Sequence, residues 1–572
     1  MPLPDPEPGA SWFCGSSWLA MTVAAVWLIA RFGPEVPLYD DFAIVPALVG
    51  NQEVSLGYLW SMHNEHRLPL PRLVLLLAYP AAGYDFRAGM FGTVACLSAS
   101  SALLIGASRR FRGGSSYADA VFPIALLHFG HFNNLLWSWQ IQFGLSTMLG
   151  LWAAALLAGN RGRVGPGTLV TLGVLLAMLP LCGANGLAMV PPLAAWLVGV
   201  GIARLRKKAS GGWGAIAASV PGVALTAFYF VNYDRPRQID RASSLGAVVR
   251  TGVQFLSIGL GPTAGEGWRI AGGLVLLLAI ATAAMLVAVS WRKAGDRASA
   301  LGLLAVLVGF GLLCLGLAWG RAGGNDRSGL EPRYVTLSAP IPILAALAWA
   351  RFGSDTGRRL VPMTILSALL LLLWPNSRSG LDQARARKAN SDTVLAEIRS
   401  GVPPFVLAAR HSGFLHSSHD ELATALPMLG AARLGVFRDL KPDPPMREIP
   451  ITSAPDSMVL ARWEPKSRTI EATGVDPWAT FTLPERTWVA GIRIRYDHEN
   501  GSETSARFKL GWRRSDQSGF PTDQQYDRWT LPTGKDRSLV VWIAGAIDAI
   551  RIQPDNRPSR FRVKEMSLLV PE

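Results

Sequence analysis

The sequence predicts a polytopic α-helical membrane protein that ends in a β-sandwich domain. Half of the 572 residues are hydrophobic and only 17% are charged, whereas soluble domains carry about 25% charged residues. Apolar runs such as LVLLLAIATAAMLVAVSW reach the length of about 18 residues that a transmembrane helix needs. From about residue 450 the pattern changes to short alternating stretches, such as VAGIRIRYD and RSLVVWIAG, which are typical of β-strands.

Apolar runs of this kind predict eleven membrane spans. We expect them at residues 11–32, 88–108, 117–131, 141–159, 166–183, 187–203, 213–231, 270–290, 298–319, 334–350 and 360–375. The stretch at 71–80 is too short to cross a hydrocarbon core of about 30 Å. These patterns divide the chain into three predicted domains: a transmembrane domain (1–375), a helical connector (376–449) and the sandwich (450–572).

Short loops rich in Arg and Lys, such as SRRFRGG, RLRKK and WRKAGDR, set the orientation. Basic loops stay in the cytoplasm, so we expect a cytoplasmic N-terminus and a periplasmic or extracellular C-terminal domain. These loops account for much of the net charge of +15. The charge therefore does not indicate nucleic-acid binding, and the expected partner surface is the lipid bilayer.

The first loop on the predicted outer side concentrates ionisable side chains next to apolar spans. Such groups are costly near a bilayer and tend to mark functional cavities. YDDF supplies Asp40 and Asp41, and a carboxylate held in place by a neighbour is a candidate general base. HNEHR supplies the candidate substrate-binding residues His63, Glu65, His66 and Arg67.

Two other interpretations of this loop stay open. His63 and His66 are three residues apart and would share a helix face, so a metal site is one alternative. A solvated loop whose Arg67 reaches lipid phosphates is the other.

The next outward loop, LLHFGHFNNLLWSWQIQF, combines aromatic and amide side chains. An indole face packs on the C–H groups of a sugar ring while amides bond the hydroxyls. The alternative is an ordinary belt of interfacial Trp. The candidate sugar-binding residues, with one from CGANG, are His128, His131, Asn134, Trp139, Gln140 and Asn185.

The late loop GRAGGNDRSGLEPRY places Arg321 and Arg333 on the outer side, against the positive-inside rule. Outward arginines at helix ends suit an anionic ligand such as a phosphate. Together the loops predict an enzyme that uses a lipid-linked phosphosugar. Its phosphate would meet Arg, its sugar would enter the polar cavity, and an Asp would take the proton of the acceptor hydroxyl.

On these residues the sequence resembles the GT-C superfamily of integral-membrane glycosyltransferases over roughly residues 11–375. The resemblance rests on YDDF, HNEHR and GRAGGNDRSGLEPRY. It implies inverting transfer of a sugar from a polyprenyl-phosphate donor to a hydroxyl of an envelope glycan, lipid or protein. It also implies that Asp40 is the catalytic carboxylate, with Asp41 second, and that Arg333 and Tyr334 lie near the lipid phosphate.

The resemblance carries further expectations. The layout is similar to that of bacterial arabinosyltransferase-like members of the cell envelope. This implies a GT-C-like fold in the bacterial inner (plasma) membrane and a carbohydrate-binding sandwich at 450–572. The loop lacks a DxD motif, so the metal is unknown and a divalent cation stays open as a cofactor.

Three rival functions fit parts of the sequence. A transporter or flippase of a lipid-linked saccharide explains the spans, but it would place charges within broken helices. An O-antigen ligase or polymerase would need a large central outer loop, for which 232–269 is the candidate. A non-catalytic scaffold would use only the sandwich.

The orientation yields the first prediction. A cysteine placed near residue 480 should react with an impermeant thiol reagent added to intact cells, because the C-terminal domain is expected outside. A cysteine placed in RLRKK should react only after lysis. The reverse pattern would contradict the orientation.

Overall fold

Long apolar helices form the body of the protein. The structure is a computed structural model and describes residues 7–160, 164–233, 242, 244–501, 505–514 and 516–572. Within these ranges, nine helices are long and apolar enough to cross a membrane, so the chain is a multi-pass membrane protein. They are Ala10–Phe32, Ala88–Arg112, Ser138–Gly159, Ala184–Arg206, Gly212–Tyr229, Trp268–Arg292, Arg297–Arg321, Pro332–Phe352 and Asp355–Arg399.

Two of the eleven expected spans do not form long helices. The stretch 117–131 breaks into a 3-10 turn, the helix Val121–Leu127 and another turn at Phe129–His131. Its residues are apolar because they are buried inside the protein rather than exposed to lipid. The stretch 166–183 forms the short apolar helix Pro166–Cys182.

Shorter helices fill the ends of the bundle. The stretch predicted to be too short for a span lies within the helix Pro69–Ala81. Residues 234–241 and 243 of the predicted central loop lie outside the described residues, and its later part forms the helix Leu245–Ser257. The remaining short helices of this region are Val45–Leu48, Leu56–Trp60 and Phe132–Leu135.

The helix Asp355–Arg399 links the bundle to the C-terminal region. Ser354 begins it by accepting the backbone N–H of Gly357 at 3.1 Å. At 45 residues it is about 68 Å long, roughly twice the hydrocarbon core. Its first half is apolar and its second half is charged, so it continues well past the boundary expected at residue 375.

The C-terminal region is an antiparallel sheet, as the alternating pattern predicts. Within the described residues nine strands pair in one sheet. The strands are Met446–Pro450, Ser457–Val459, Ala461–Glu464, Thr469–Ala472, Trp478–Glu499, Ser505–Arg513, Gln525–Pro532, Gly534–Gln553 and Ser559–Pro571. Register shifts interrupt the pairing of the two longest strands. Such bulges bend a sheet, and this sheet curls around a core that includes Phe481, Phe508 and Phe561.

Two connector helices, Pro404–Leu415 and His419–Ala431, join the sheet to the helix bundle. His419 accepts the backbone N–H of Trp542 through Nδ1 at 2.9 Å. Asp420 accepts the backbone N–H of Val540 at 2.9 Å. The helix His419–Ala431 also packs against the turn at residues 39–44, so the sheet is tied to the loop that carries Asp40.

Candidate functional site

A cavity of about 480 Å³ lies where several long helices end on one side of the bundle. Three helices reach it with their first residues, at Trp139, Asn185 and Tyr334. One helix that runs the opposite way reaches it with its last residue, Arg321. The other walls come from the first loop, which contributes Asp40 and a short β-hairpin.

Most of the residues that the sequence marks as candidates line this cavity. They are Asp40, His63, Glu65, His66, Trp139, Gln140, Asn185, Arg321, Arg333 and Tyr334. The candidates that do not line it are Asp41, Arg67, His128, His131 and Asn134. The cavity therefore gathers residues from all three loops, which lie far apart along the chain.

Asp40 sits in a tight 3-10 turn and contacts the hairpin. Its Oδ1 lies 3.1 Å from His63 Nε2 and 3.5 Å from Asn64 Nδ2. The His63 ring packs against the Trp139 ring, with centroids 4.8 Å apart. Tyr39, the residue before Asp40, has a φ of 47°, a left-handed conformation that a bulky side chain adopts at a cost. The surrounding structure therefore fixes the direction of the Asp40 carboxylate.

The environment of Asp40 keeps its carboxyl ionised. Burial alone would raise the pKa, but the hydrogen bond and charge of His63, together with the charges of His416 and Arg333, outweigh it. The pKa of Asp40 thus lies below its usual value. Its side chain is 28% exposed, so an ionised carboxylate faces the cavity.

Asp41 has the opposite environment although it is the next residue. It is fully buried, and it accepts the Leu38 N–H at 3.1 Å and the Tyr79 hydroxyl at 3.3 Å. Burial, helped by the neighbouring Asp40 charge, raises the pKa of Asp41 to about 8. Asp41 therefore holds the turn together as a mostly protonated acid at neutral pH.

The HNEHR motif forms a β-hairpin rather than the helix face considered from its spacing. His63 and His66 are directly opposite each other in the register, so their side chains lie on the same face. Asn64 makes the turn with a φ of 50°. Burial lowers the pKa of His66 to about 4, so both its charge state and its position favour hydrogen bonding over ion pairing.

Arg67 anchors this hairpin and does not reach the cavity. Its guanidinium donates to the carbonyls of Trp60, Tyr229, Val231 and Asn232 at 2.8–3.1 Å. Three of these carbonyls lie at the end of the helix Gly212–Tyr229, where backbone acceptors lack intrahelical partners. Arg67 therefore fixes the hairpin to that helix end.

The two cavity arginines differ in their partners. Arg321 Nη2 lies 3.3 Å from Glu65 Oε2, which makes an ion pair across the cavity wall. Arg333 stacks over the Tyr334 ring at 5.3 Å, and its Nε has no hydrogen-bond partner among the described residues. Arg333 is therefore the better placed of the two to receive an anion.

The second predicted loop lies behind Arg333 and supports it. Asn134 Nδ2 donates to the Arg333 carbonyl at 2.9 Å. His131 Nδ1 lies 2.8 Å from Thr336 Oγ1, and His128 Nδ1 accepts the Gly130 N–H at 3.0 Å. Asn134 and His131 therefore join the loop to the start of the helix Pro332–Phe352, whereas the His128 bond lies within the loop.

One wall of the cavity is apolar. It is formed by Leu312, Leu313, Gly316, Leu317 and Trp319, on the last turns of the helix Arg297–Arg321, and by Phe230. Trp319 is 63% exposed and Phe230 is 55% exposed. The cavity is thus polar inside and apolar on a side that reaches the surface of the bundle.

Sequence reasoning missed several cavity residues. Asn64 lies within HNEHR but was not singled out, whereas Gln142 belongs to the aromatic and amide set that the sequence marks in the second loop. Phe230 and Tyr233 line the cavity but read as ordinary aromatic residues at a span end. His416 does not line the cavity, but its charge helps to lower the pKa of Asp40. Its ring lies 6.2 Å from the Phe42 ring, and nothing in the sequence connects the two.

The residues present do not form a ready metal site. Within the described ranges, no group of three or more His, Cys, Asp or Glu side chains is arranged to hold a metal ion. Asp40 is engaged by His63, and Glu65 is engaged by Arg321. We therefore derive no step through a metal.

The sequence matches no family model and no curated protein. Among solved structures, the chain is similar to the cryo-EM structure of arabinosyltransferase EmbB from Mycobacterium smegmatis, at 13% identity and a TM-score of 0.28. The match covers 98% of this chain and 64% of that chain, so this chain spans less than two thirds of that enzyme.

The environment of Asp41 yields the second prediction. Asp41→Asn should leave thermal stability below about pH 4 nearly unchanged, because Asp41 is then protonated in both the folded and the unfolded state and the amide resembles the protonated acid. Asp41→Leu should lower the unfolding free energy by about 1–3 kcal/mol, because it leaves buried donors without an acceptor. Unfolding of the detergent-solubilised protein measures both effects.

The same assignment of Asp41 also predicts how folding stability depends on pH. A raised carboxyl pKa means that the folded state keeps a proton that the unfolded state has lost, so stability falls as pH rises between about 4 and 8. This part of the fall should be missing in Asp41→Asn. An equal slope in both proteins would contradict the assignment.

Proposed function

We propose that the protein is a GT-C-type membrane glycosyltransferase that moves a sugar from a polyprenyl-phosphate donor to a hydroxyl acceptor. One observation carries the proposal. An ionised Asp40 faces the same cavity as Arg333, and the apolar wall of that cavity reaches the surface of the bundle. A lipid-linked phosphosugar needs all three features: a base, a phosphate site and a path for its tail.

The tail lies along the wall formed by Leu312, Leu317, Trp319 and Phe230, and the phosphate meets Arg333. Arg suits this role because its planar fork matches phosphate oxygens. Arg321 adds positive charge on the same side while Glu65 holds its direction. Membrane helices that begin at the cavity also direct their positive dipole ends toward the anion.

The reaction is a single displacement at the anomeric carbon. The acceptor oxygen forms the new bond as its proton passes to Asp40, and the bond to the phosphate oxygen breaks with its electron pair leaving on the phosphate. The configuration inverts because the acceptor attacks the face opposite the leaving group. A positioned base contributes about 10²- to 10⁴-fold, and His63 supplies the positioning.

The position of the charges favours transfer over transport. A transporter of a lipid-linked saccharide would place ionisable groups near the middle of broken helices. Here Asp40, Glu65, Arg321 and Arg333 all lie at helix ends or in the first loop. We place this cavity on the outer side of the inner membrane, where an envelope glycan, lipid or protein would present the acceptor hydroxyl.

The third prediction tests the base. Asp40→Asn keeps the shape of the side chain but removes its basicity, so turnover should fall at least about a hundredfold while donor affinity stays nearly unchanged. Asp41→Asn is the matched control, since its carboxyl does not line the cavity, and it should cost far less. Transfer from a polyprenyl-phosphate sugar in proteoliposomes measures both. Full activity of Asp40→Asn would overturn the glycosyltransferase proposal.

The fourth prediction tests the phosphate site. Arg333→Ala should weaken donor binding at least about tenfold with little change in acceptor affinity. Arg333→Lys should keep only part of the donor affinity, because Lys lacks the planar fork of Arg. Arg327→Ala is the matched control, because Arg327 belongs to the same loop but is exposed and does not line the cavity. If both variants weaken donor binding equally, the effect comes from general charge and Arg333 loses its assignment.

A further inference from the structure

The cavity contains buried polar atoms that the protein itself does not satisfy. Native proteins pair the large majority of such atoms. Among the described residues, five atoms of cavity-lining side chains have no hydrogen-bond partner. They are His66 Nδ1, Trp139 Nε1, Gln140 Oε1, Gln142 Oε1 and Arg333 Nε. Their concentration in one cavity points to a ligand that supplies several hydrogen bonds.

Four of these five side chains are neutral. The two Gln carboxamides each carry an acceptor oxygen and a donor nitrogen, and the Trp139 indole donates. Burial holds the pKa of His66 at about 4, so its ring is neutral at pH 7. Hydroxyl groups, which both donate and accept, match this set.

Each charged group of the cavity has a protein partner or a role in the proposed transfer. The Asp40 carboxylate is bonded to His63 and faces the acceptor hydroxyl as the base, and Glu65 is paired with Arg321. Arg333 is the group to which the proposed function assigns the donor phosphate. A sugar with an ammonium or carboxylate would therefore sit among neutral amides, and burying such a charge without a counter-ion is costly.

The polar wall is also rigid, which selectivity requires. Gln140 and Gln142 flank Ile141 at the start of the helix Ile141–Gly159, and both are more than 90% buried. Trp139 directly precedes them and is fixed by its packing against His63. Groups held this firmly reject a ligand that cannot pair with them.

We propose that Gln140 and Gln142 select a neutral, polyhydroxylated monosaccharide as the group transferred, and that amino sugars and uronic acids are rejected. This inference rests on the proposed function, because it assumes that the sugar of a lipid-phosphate donor occupies the cavity. The volume of about 480 Å³ must hold the phosphate and the acceptor hydroxyl as well. One sugar ring fits this space better than an oligosaccharide.

The test measures binding of defined probes to the purified full-length protein. The probes are a prenyl phosphate without sugar and three sets of prenyl-phosphate monosaccharides: neutral aldoses, amino sugars and uronic acids. At least one neutral aldose should bind about tenfold or more tightly than the prenyl phosphate alone. Gln140→Leu and Gln142→Leu should each weaken binding of that prenyl-phosphate aldose about tenfold. Both variants should leave the affinity for the prenyl phosphate alone unchanged.

A charge substitution sharpens the test. Gln142→Glu keeps the size and the acceptor atoms but adds a carboxylate, so it should shift the preference toward the amino sugar. Tighter binding of an amino sugar or uronic acid by the wild type would overturn the inference. So would Leu variants that keep the full gain from a neutral sugar.

The two proposals fail in different ways. If the prenyl phosphate binds and Arg333→Ala weakens it, but no neutral aldose adds affinity, only the sugar assignment is wrong. If the prenyl phosphate does not bind, or Asp40→Asn keeps full transfer activity, the proposed function itself is wrong.

Discussion

The candidate site depends on how the Arg67 guanidinium is held. Four backbone carbonyls from two separate segments accept its hydrogen bonds, so a single side chain closes the first loop onto the end of a long helix. Charge-assisted bonds to backbone acceptors are stronger than neutral ones, and here they satisfy carbonyls at and just beyond the end of the helix Gly212–Tyr229. With the hairpin fixed, His63 reaches Asp40 and Glu65 reaches Arg321.

The two neighbouring carboxylates show how one turn gives the same chemical group two roles. Successive residues of a tight turn point in different directions, so Asp40 faces the cavity and Asp41 faces the protein interior. Cationic and hydrogen-bonding neighbours favour the charged form of the first, whereas burial disfavours the charged form of the second. The two carboxyls differ in charge state because their surroundings differ, although the residue type is the same.

Residue patterns predicted the architecture well and the contacts of the site only in part. Hydropathy predicts the long helices, and alternation of apolar and polar residues predicts the sheet, because both patterns report which faces of an element are apolar. Hydropathy failed at 117–131, since a segment buried in protein is as apolar as one buried in lipid. Spacing suggested a shared helix face for His63 and His66, but their proximity comes from a hairpin. The approach of His416 to Phe42 depends on how the chain returns after the helix Asp355–Arg399, which no local pattern encodes.

Because the chain returns to the bundle after the helix Asp355–Arg399, the C-terminal region and the cavity are not independent of each other. The helix His419–Ala431 is bonded to the sheet at its start and packs on the Asp40 turn along its side, while the charge of His416 contributes to the pKa of Asp40. The C-terminal region is thus part of the electrostatic environment of the cavity, and it is not a separable attachment. A chimera that exchanged this region for that of another protein would change the acidity of a carboxylate in the first loop, even if every membrane helix were kept intact.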